Sequence, residues 1–403
     1  MNTYVSTYEW VETLDLSPYT HSCVYGPSLE VPIKINTIEE SLLDPLGTKS
    51  LDELLAKRAI TSALIIVDDI ARPTPQKEIL ASVLPIFERH GVHLENITLL
   101  IALGLHRPMT HQEMIDRYGE NVVDRCKVLN HDPYDEENLT HIGTTLDGQP
   151  ITVNSLVTKA QFIMGIGQIA PHRVVGFSGG AKIIVPGVSG KDIISHLHWL
   201  GWTTDSDKIF AIPKNRVRDE VNHIGEVAKL DFVINVIMEG LEVLHYYSGN
   251  HNKVFNQASK DILKAYSIPI PPSEVVVVEA YPYDLDMQQA AKAVCTAEMV
   301  MKKGGAVILV TTCPDGWHVD FRTLKKTGYL PYTKVVELVE GNKLDKLIGC
   351  HFAAFGRVLE SGRIYVVSNH LEKEDVKAMN LIPAKSIQEA LNQEVKRQGK
   401  DIT

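Results

Sequence analysis

The chain has 403 residues, of which 44% are hydrophobic and 22% charged, and its formal net charge at pH 7 is −10. This composition is typical of soluble globular proteins, and the length suffices for two or three domains. The negative charge disfavours a surface for nucleic acid or for an anionic membrane, because both need clustered basic side chains. A small-molecule partner fits the composition better.

The cysteines and the N-terminus indicate a cytoplasmic protein. The five cysteines are odd in number, widely spaced and without a CxxC motif, which favours reduced thiols over a disulfide framework or a thiolate zinc site. No basic segment followed by an apolar core opens the sequence, and no apolar run is long enough to span a bilayer.

Strands and helices alternate through the first two thirds of the chain. Continuous apolar runs such as 62–67 are typical of strands buried on both faces of a parallel sheet. We expect strands at 30–35, 62–67, 96–103, 126–130, 160–164, 232–238 and 241–247, and helices at 50–58, 76–90, 112–118, 220–229 and 252–265. This alternation predicts a doubly wound α/β sheet.

A proline-rich segment at 267–273 separates this pattern from a second one. Beyond it we expect strands at 274–280, 305–311 and 363–368, and helices at 286–302, 334–339 and 385–397. The prediction is two α/β domains with mainly parallel sheets and an active-site cleft between them. The expected boundaries are a cofactor-binding domain at 1–266, a C-terminal domain at 274–385, and a helix at 386–403 that could pack back on the first domain. The sequence indicates no role for residues 1–58.

The stretch 164–200 is the densest in chemically useful residues. Its glycines, above all in the run Gly176-Phe177-Ser178-Gly179-Gly180, let backbone approach a ligand closely. A helix beginning near Gly180 would present free N–H groups to a phosphate, with Lys182 just inside it. The run lacks the spacing of a nucleotide-triphosphate loop and of a dinucleotide fingerprint, and a purely structural glycine turn is an equal alternative.

Polar residues follow two of the expected strands. Asp69 and Arg72 come just after 62–67, and His106 lies in the turn after 96–103. Because open parallel sheets bind ligands at the carboxyl ends of their strands, these residues could share one site. The structural alternatives are a local salt bridge or cap for Asp69 and Arg72, and a surface or capping role for His106.

Three histidines in the central stretch allow a zinc hydrolase to be considered. His172, His196 and His198 could supply three ligands, but the HExxH spacing is absent. If 192–200 is helical, His196 and His198 point apart, so at most one of them is a ligand. His196 is expected at the surface or in packing.

The expected helix 286–302 carries Gln288, Gln289 and Lys292, and the last two share a helix face. Arg72 and Lys292 could hold a carboxylate from two sides. His106 and His172 are then the natural acid/base pair. A histidine on each side of a substrate carbon is what inversion of a stereocentre requires.

Taken in order, these motifs resemble those of the nickel-dependent lactate racemase family. The resemblance rests on Gly104-Leu105-His106-Arg107-Pro108, Pro171-His172, the run from Gly176 to Lys182, Pro186-Gly187 and His198, with Asp69-x-x-Arg72 upstream and Gln289-x-x-Lys292 downstream. It extends from about residue 60 to about residue 320.

The resemblance implies a nickel-pincer nucleotide, Ni(II) pyridinium-3,5-bisthiocarboxylic acid mononucleotide. The matching lysine, Lys182, can be joined covalently to one sulfur-containing arm, and His198 completes a roughly planar nickel coordination, which suits Ni(II). The family's pattern implies cofactor contacts for Asp69, Ile70, Ala71, Arg72, Ser178, Gly179 and Gly180, acid/base roles for His106 and His172, and substrate contacts for Arg72, Gln288, Gln289 and Lys292. Proteins that make or deliver the cofactor are the implied partners besides the substrate.

The implied reaction is racemisation or epimerisation of a 2-hydroxy acid. The hydrogen on the carbinol carbon is too weakly acidic for histidine to remove, so hydride transfer coupled to loss of the alcohol proton is favoured. Gln288 stands where the lactate-specific members have tyrosine, and 350–357, which aligns loosely with a region where they carry tryptophan, has none. A roomier and more polar pocket favours a larger 2-hydroxy acid, for example an aldonic acid.

Two other function classes are open to the sequence. An NAD-type 2-hydroxy acid oxidoreductase would use a similar α/β scaffold, but the missing G-x-G-x-x-G motif counts against it. A non-catalytic carrier of the cofactor would need Lys182 and His198 but not the pair His106 and His172.

Overall fold

The computed structural model describes residues 3–19, 21–25, 33–317 and 325–399. These residues divide into two compact units. The first unit comprises 33–267, and the second combines the described residues before position 29 with those from 268 onwards. Two α/β units containing parallel sheets confirm the predicted fold class, whereas the cleft between the domains stays a prediction.

A six-stranded sheet forms the centre of the first unit. Its strands lie in the order Glu242–Gly249, Phe232–Glu239, Ile163–Gln168, Ala63–Val67, Ile97–Ile101 and Lys127–Asn130. Five strands are parallel and Glu242–Gly249 is an antiparallel edge. Ile65 and Ile66 point to opposite faces and are both fully buried, which is why the strand Ala63–Val67 is apolar at every position.

The chain reverses its direction of winding in the middle of this sheet. The strands Ile97–Ile101 and Lys127–Asn130 follow outward on one side of Ala63–Val67, while Ile163–Gln168 lies on its other side. Such a switch point is where open α/β sheets bind ligands, beyond the carboxyl ends of the strands. The segments that carry Asp69, His106 and the glycine run all leave the sheet at this edge.

Helices and shorter elements complete the first unit. Its α-helices are Ile38–Leu43, Leu51–Lys57, Gln76–Arg89, His111–Tyr118, Glu120–Arg125, Ser155–Lys159, Lys191–Trp202, Ser206–Ile209, Arg216–Val227 and His251–Tyr266. Two hairpins, Leu139–Thr144 with Pro150–Asn154 and Pro171–His172 with Gly176–Phe177, lie outside the main sheet. The 3-10 turns are Leu94–Asn96, Glu136–Asn138 and Gly180–Ile183.

The second unit contains a four-stranded parallel sheet. Its strands are ordered Ser273–Glu279, Met301–Val310, Arg363–Val367 and Ile382–Ala384. Its α-helices include Met287–Glu298, Tyr332–Glu340, Lys346–Leu359, Lys373–Ala378 and Ile387–Gln398. The N-terminal strands Thr3–Tyr4 and Leu14–Asp15 pair with each other in the same unit.

Both ends of the chain complete the core of the second unit, which differs from the expected boundaries. Tyr8 and Leu14 share a buried cluster with Ile308 of the sheet and with Ile387 and Leu391 of the last helix. The helix Ile387–Gln398 therefore packs on the sheet of its own unit, because its apolar face is buried there. The N-terminal residues belong to this unit rather than to a domain at 1–266.

Several expected elements have different bounds. The strand expected at 160–164 is Ile163–Gln168, because the Asn154-capped helix Ser155–Lys159 occupies the preceding residues. The helix expected near Gly180 is a four-residue 3-10 turn, and the helix expected at 286–302 ends at Glu298 since a strand begins at Met301. Of the strand expected at 30–35, positions 30–32 lie outside the described residues and 33–35 form no strand.

The helix Lys346–Leu359 was not predicted, because a helix buried on nearly every side shows no polar face. None of the five cysteines forms a disulfide bond with another. Within the described residues, no helix combines the length and the apolar character needed to cross a bilayer.

Glu394 joins the last helix to the sheet of the second unit. Its fully buried carboxylate accepts hydrogen bonds from Arg363 Nε at 2.8 Å, Arg363 Nη2 at 2.7 Å and the Tyr365 hydroxyl at 2.7 Å. Burial opposes ionisation, but the bonds from Arg363 and Tyr365 outweigh it and hold the pKa of Glu394 at about 2. The ionised pair therefore stabilises the fold at neutral pH.

We expect Glu394→Gln to lower the free energy of unfolding at pH 7 by about 3 kcal/mol, because Arg363 loses its counter-charge. The folded pKa lies below the unfolded one, so this stabilisation is complete above about pH 5 and disappears as the pH falls toward 2. Urea unfolding at pH 7 and pH 3 should show a smaller penalty at pH 3. Glu340→Gln, on an exposed residue, is the control, and equal effects of both variants at pH 7 would refute the prediction.

Candidate active site

Two neighbouring carboxylates lie at the end of the strand Ala63–Val67, and the structure gives them different partners. Asp68 accepts a hydrogen bond from Gln76 Nε2 at 2.7 Å and forms a salt bridge with Arg117. The Tyr118 hydroxyl donates to the Asp68 carbonyl at 3.0 Å. Asp68 thus anchors the start of the loop and leaves Asp69 to face a different group.

Asp69 pairs with His106. Its Oδ2 lies 2.5 Å from His106 Nδ1, and the carboxylate is 96% buried (4% exposed). Burial opposes ionisation, but the charge and hydrogen bond of His106, with Arg72 and Arg117 nearby, hold the pKa of Asp69 well below its usual range. The ionised carboxylate therefore fixes the ring proton on Nδ1, and Nε2 of the neutral ring presents the lone pair that a general base uses.

The segment from Asp69 to Arg72 forms a tight turn. The Ala71 N–H donates to Asp69 Oδ1 at 3.2 Å, and Arg72 Nη1 donates to the Ala71 carbonyl at 2.8 Å. Ala71 is buried and Ile70 is partly buried. The turn therefore brings the guanidinium of Arg72 to the same end of the sheet as the carboxylate of Asp69.

Residues 176–180, here called the glycine loop, are held in one backbone shape. Gly179 and Gly180 have φ values of 81° and 58°, in the left-handed region that disfavours side chains. Asn235 Oδ1 accepts the Gly180 N–H at 2.7 Å. The Ser178 hydroxyl donates to the Gln168 carbonyl at 3.0 Å and accepts the Ala170 N–H at 2.9 Å. The hydroxyl of Ser178 is thus used within the protein, and its expected cofactor contact stays a prediction.

The two glycines before the loop also serve packing. A Cβ on Gly165 would lie 2.6 Å from Ile183 Cγ2, and one on Gly167 would lie 3.3 Å from Asp68 Oδ2. Their lack of side chains therefore admits other parts of the protein to the strand. The sequence suggested that a ligand could approach these two glycines closely. Side chains of the protein occupy the space beside them instead.

Arg218 lies beneath the glycine loop and was not predicted. It is 1% exposed, it donates to the carbonyls of Phe177 and Gly179, and its guanidinium lies 3.9 Å from the Phe255 ring centroid. Its Nε has no partner among the described residues, and burial lowers its pKa to about 9. No sequence signal distinguishes this arginine from the other charged residues of its helix.

Lys182 lies in the 3-10 turn that follows the glycine loop. Burial, followed by the positive charges of Arg72 and Arg218, lowers the pKa of its ammonium group to about 7, against the opposing charge of Asp69. A large fraction of the amine is therefore neutral at neutral pH. A neutral amine is a nucleophile, which is what a covalent link to a ligand requires.

His198 and His196 point in different directions from the helix Lys191–Trp202. His198 Nδ1 lies 2.9 Å from the Ile194 carbonyl, so Nδ1 donates and Nε2 keeps its lone pair. Burial, followed by the charge of Lys182, lowers the pKa of His198 to about 4, and its ring is neutral at pH 7. His196 Nε2 instead lies 3.0 Å from Asp147 Oδ2, as expected for a residue without a ligand role.

His172 has the opposite tautomer to His106. It lies in the hairpin strand Pro171–His172, and its Nδ1 accepts the Val174 N–H at 3.1 Å. The neutral ring therefore carries its proton on Nε2. The next residue, Arg173, donates to the carbonyls of Gly201 and Thr204 at the end of the helix Lys191–Trp202. That His172 faces His106 stays a prediction.

Five of the predicted residues form one electrostatic group. Lys182 interacts with the charges of Arg72 and Asp69, Asp69 with that of His106, and His198 with those of Lys182 and His106. The positive charges of Arg72 and Arg218 act on Lys182 together with the one carboxylate of Asp69, so the site favours an anionic ligand. Among the described residues, no group of three or more His, Cys, Asp or Glu side chains could hold a metal, so a zinc site of three protein ligands is not found there.

Three of the four predicted substrate residues, Gln288, Gln289 and Lys292, lie in the second unit, and Arg72 lies in the first. Lys292 Nζ donates to Gln289 Oε1, which confirms their shared helix face, and it lies 4.6 Å from the ring centroid of Tyr283. Asp286 caps the helix by accepting the Gln289 N–H at 2.7 Å. Gln288 is partly exposed. Tyr283 could not be predicted, because its contact with Lys292 depends on the turn before the helix.

Comparison with known proteins identifies the family. Residues 20–209 match the lactate racemase N-terminal domain family, and 269–403 match the lactate racemase C-terminal domain family. The lactate racemase of Thermoanaerobacterium thermosaccharolyticum is 27% identical over 371 residues, which are 89% of this chain and 86% of that protein. The lactate racemase of Lactiplantibacillus plantarum is 27% identical over 372 residues, 90% of this chain and 86% of that protein.

Solved structures share the fold. The lactate racemase apoprotein from T. thermosaccharolyticum superposes with a TM-score of 0.83 at 24% identity, over 95% of this chain and 94% of that chain. A Thermotoga maritima protein gives a TM-score of 0.67 at 21% identity, over 83% of this chain and 91% of that one. The two domain matches cover both units, and on that evidence the chain belongs to the lactate racemase family, a family of isomerases.

Proposed function

We propose that this protein racemises or epimerises a 2-hydroxy acid with a nickel-pincer nucleotide. The observation that carries the proposal is the electrostatic group that His106, Lys182 and His198 form at the switch point of the first sheet. The amine of Lys182 is largely neutral and Nε2 of His198 keeps its lone pair, as the proposed chemistry needs, while His106 pairs with Asp69 through Nδ1 and so directs Nε2 to proton transfer.

The residues present fit the cofactor. His198 would bind nickel through Nε2, since its Nδ1 is occupied by the Ile194 carbonyl. Lys182 would carry the covalent link, and the charges of Arg72 and Arg218 would offset those of an anionic nucleotide. When bound, this cofactor supplies a hydride acceptor and donor, which a protein side chain cannot supply.

The chain's own residues move the proton and hold the substrate. We assign uptake of the alcohol proton to His106 Nε2, with Asp69 stabilising the imidazolium that forms, as a buried aspartate does in other catalytic triads and dyads. His172 would exchange the corresponding proton on the other face of the substrate carbon. Gln289 and Lys292 would bind the carboxylate, with Arg72 as a second cationic contact.

The substrate that we favour is larger and more polar than lactate. Gln288, at the position where lactate-specific members have tyrosine, is a partly exposed amide. The region 350–357, which lacks the expected tryptophan, lies within the helix Lys346–Leu359 and is largely buried. An amide in place of a phenol can hydrogen-bond the additional hydroxyl groups of an aldonic acid. We also propose that the reaction takes place in the cytoplasm.

We expect protein from a host that makes the cofactor to contain nickel and to epimerise an aldonic acid such as gluconate at C2 at least about tenfold faster than it racemises lactate. Proton NMR in D2O measures the epimerisation, because its product is a diastereomer, and chiral chromatography measures the racemisation of lactate. Because the hydrogen is transferred as hydride and returned, no deuterium should enter C2. Efficient turnover of lactate with none of the aldonic acids would refute the substrate assignment, and rapid C2 deuteration would refute hydride transfer.

We expect His198→Ala to lose nickel while keeping any mass adduct at Lys182, because the two residues hold different parts of the cofactor. Elemental analysis measures the metal, and intact mass measures the adduct. His196→Ala is the matched control, since this neighbouring histidine pairs with Asp147, and it should retain both. Equal nickel content in the two variants would contradict a ligand role for His198.

We expect Asp69→Asn to reduce kcat by about 100-fold or more at equal nickel content, because His106 loses the group that fixes its tautomer and stabilises its imidazolium. Nitrogen-15 NMR of the labelled apoprotein should show the ring proton of His106 no longer confined to Nδ1. Asp68→Asn, which affects the salt bridge with Arg117, should leave the tautomer unchanged. A wild-type kcat in Asp69→Asn would rule out this role.

A further inference from the structure

The N-terminal segment donates hydrogen bonds to a carboxylate at the end of the first strand of the second unit. Glu279, the last residue of the strand Ser273–Glu279, accepts from the hydroxyls of Tyr4 and Ser6. Its two oxygens each also lie 3.1 Å from the Thr7 N–H. Three positions of the segment, Tyr4, Ser6 and Thr7, therefore donate to one carboxylate.

Tyr8 reaches a second carboxylate, Asp284, in the loop that follows the same strand. The Tyr8 hydroxyl donates to Asp284 Oδ2 at 2.7 Å, and the Thr312 hydroxyl donates to the same oxygen at 2.5 Å. The Cys313 N–H donates to the Asp284 carbonyl at 3.0 Å. Asp284 thus joins the loops after two adjacent parallel strands, and we call Tyr8, Asp284 and Thr312 the clasp.

The Tyr8 hydroxyl is suited to a permanent donor role. Tyr8 is 6% exposed and shares the buried core of the unit. Burial, followed by the hydrogen bond to Asp284, raises the pKa of the phenol far above its ordinary value. A neutral hydroxyl bonded to a carboxylate is a charge-assisted hydrogen bond, which is stronger than one between neutral groups.

The loop held by the clasp carries the groups around Lys292. Tyr283 precedes Asp284 in the chain, and its ring lies 4.6 Å from Lys292 Nζ. The two loops are joined further on, where the Met287 N–H donates to the Gly316 carbonyl at 3.1 Å and the Asp315 N–H to the Leu285 carbonyl at 2.9 Å. The start of the helix with Gln289 and Lys292 therefore depends on how these loops are held.

We propose that Tyr8 is a positioning residue for the substrate site: through Asp284 it fixes the Tyr283 ring and thereby the ammonium group of Lys292. This inference rests on the proposed function, in which Lys292 binds the substrate carboxylate. It gives the N-terminal segment a role in substrate binding and none in holding the cofactor, whose residues belong to the first unit.

The test compares Tyr8→Phe with Tyr19→Phe. Tyr19 lies in the same segment, but its hydroxyl accepts a hydrogen bond from Gln388 on the last helix. In Tyr8→Phe we expect KM to rise about tenfold, which corresponds to one lost charge-assisted hydrogen bond, with kcat changed less than about twofold and nickel content and Lys182 adduct unchanged. Tyr19→Phe should leave KM unchanged.

A second readout does not depend on turnover. Acetylation of the apoprotein with a limiting N-hydroxysuccinimide ester, followed by peptide mass spectrometry, should show faster modification of Lys292 in Tyr8→Phe than in wild type or Tyr19→Phe. Asp284→Asn should produce the same increase, and the double variant should not exceed either single one, because both act through one contact. Unchanged KM and unchanged Lys292 labelling in a folded Tyr8→Phe protein would refute the proposal that Tyr8 positions Lys292. If wild type turned over no hydroxy acid, the proposed function would fail while the labelling still decided the role of Tyr8.

Discussion

The site at the switch point depends on burying more positive than negative charge. Arg72, Lys182 and Arg218 share their surroundings with one ionised carboxylate, Asp69, and desolvation disfavours every extra proton in such a place. Burial, together with the neighbouring positive charges, therefore lowers the basicity of Lys182 and His198. A site with this excess of positive charge favours an anionic ligand.

Hydrogen bonds from the fold determine which ring nitrogen of each histidine carries the proton. A carboxylate sets the tautomer of His106, a backbone N–H that of His172, and a helix carbonyl that of His198. These three partners come from different elements: a strand end, a hairpin and a helix. The imidazoles differ in the position of the ring proton because of their neighbours, since the side chains themselves are identical.

Much of this could be predicted from the sequence, because parallel strands place their carboxyl ends together and the motifs follow those ends in order. Asp69 and His106 were expected at one edge, and the apolar runs located their strands. Arg218 could not be found, because it binds carbonyls of residues about 40 positions away and follows no pattern. The glycines at 165 and 167 were interpreted as ligand contacts, since a sequence cannot show that Ile183 and Asp68 occupy the space beside them.

The two units differ in how the chain builds them. All strands of the first sheet lie between residues 63 and 249, a continuous segment. The core of the second unit needs Tyr8 and Leu14 from the start of the chain and Ile387 and Leu391 from its end. During synthesis the first residues therefore cannot meet their hydrogen-bond partners Glu279 and Asp284 until those residues have been made, by which time every strand of the first sheet is already present.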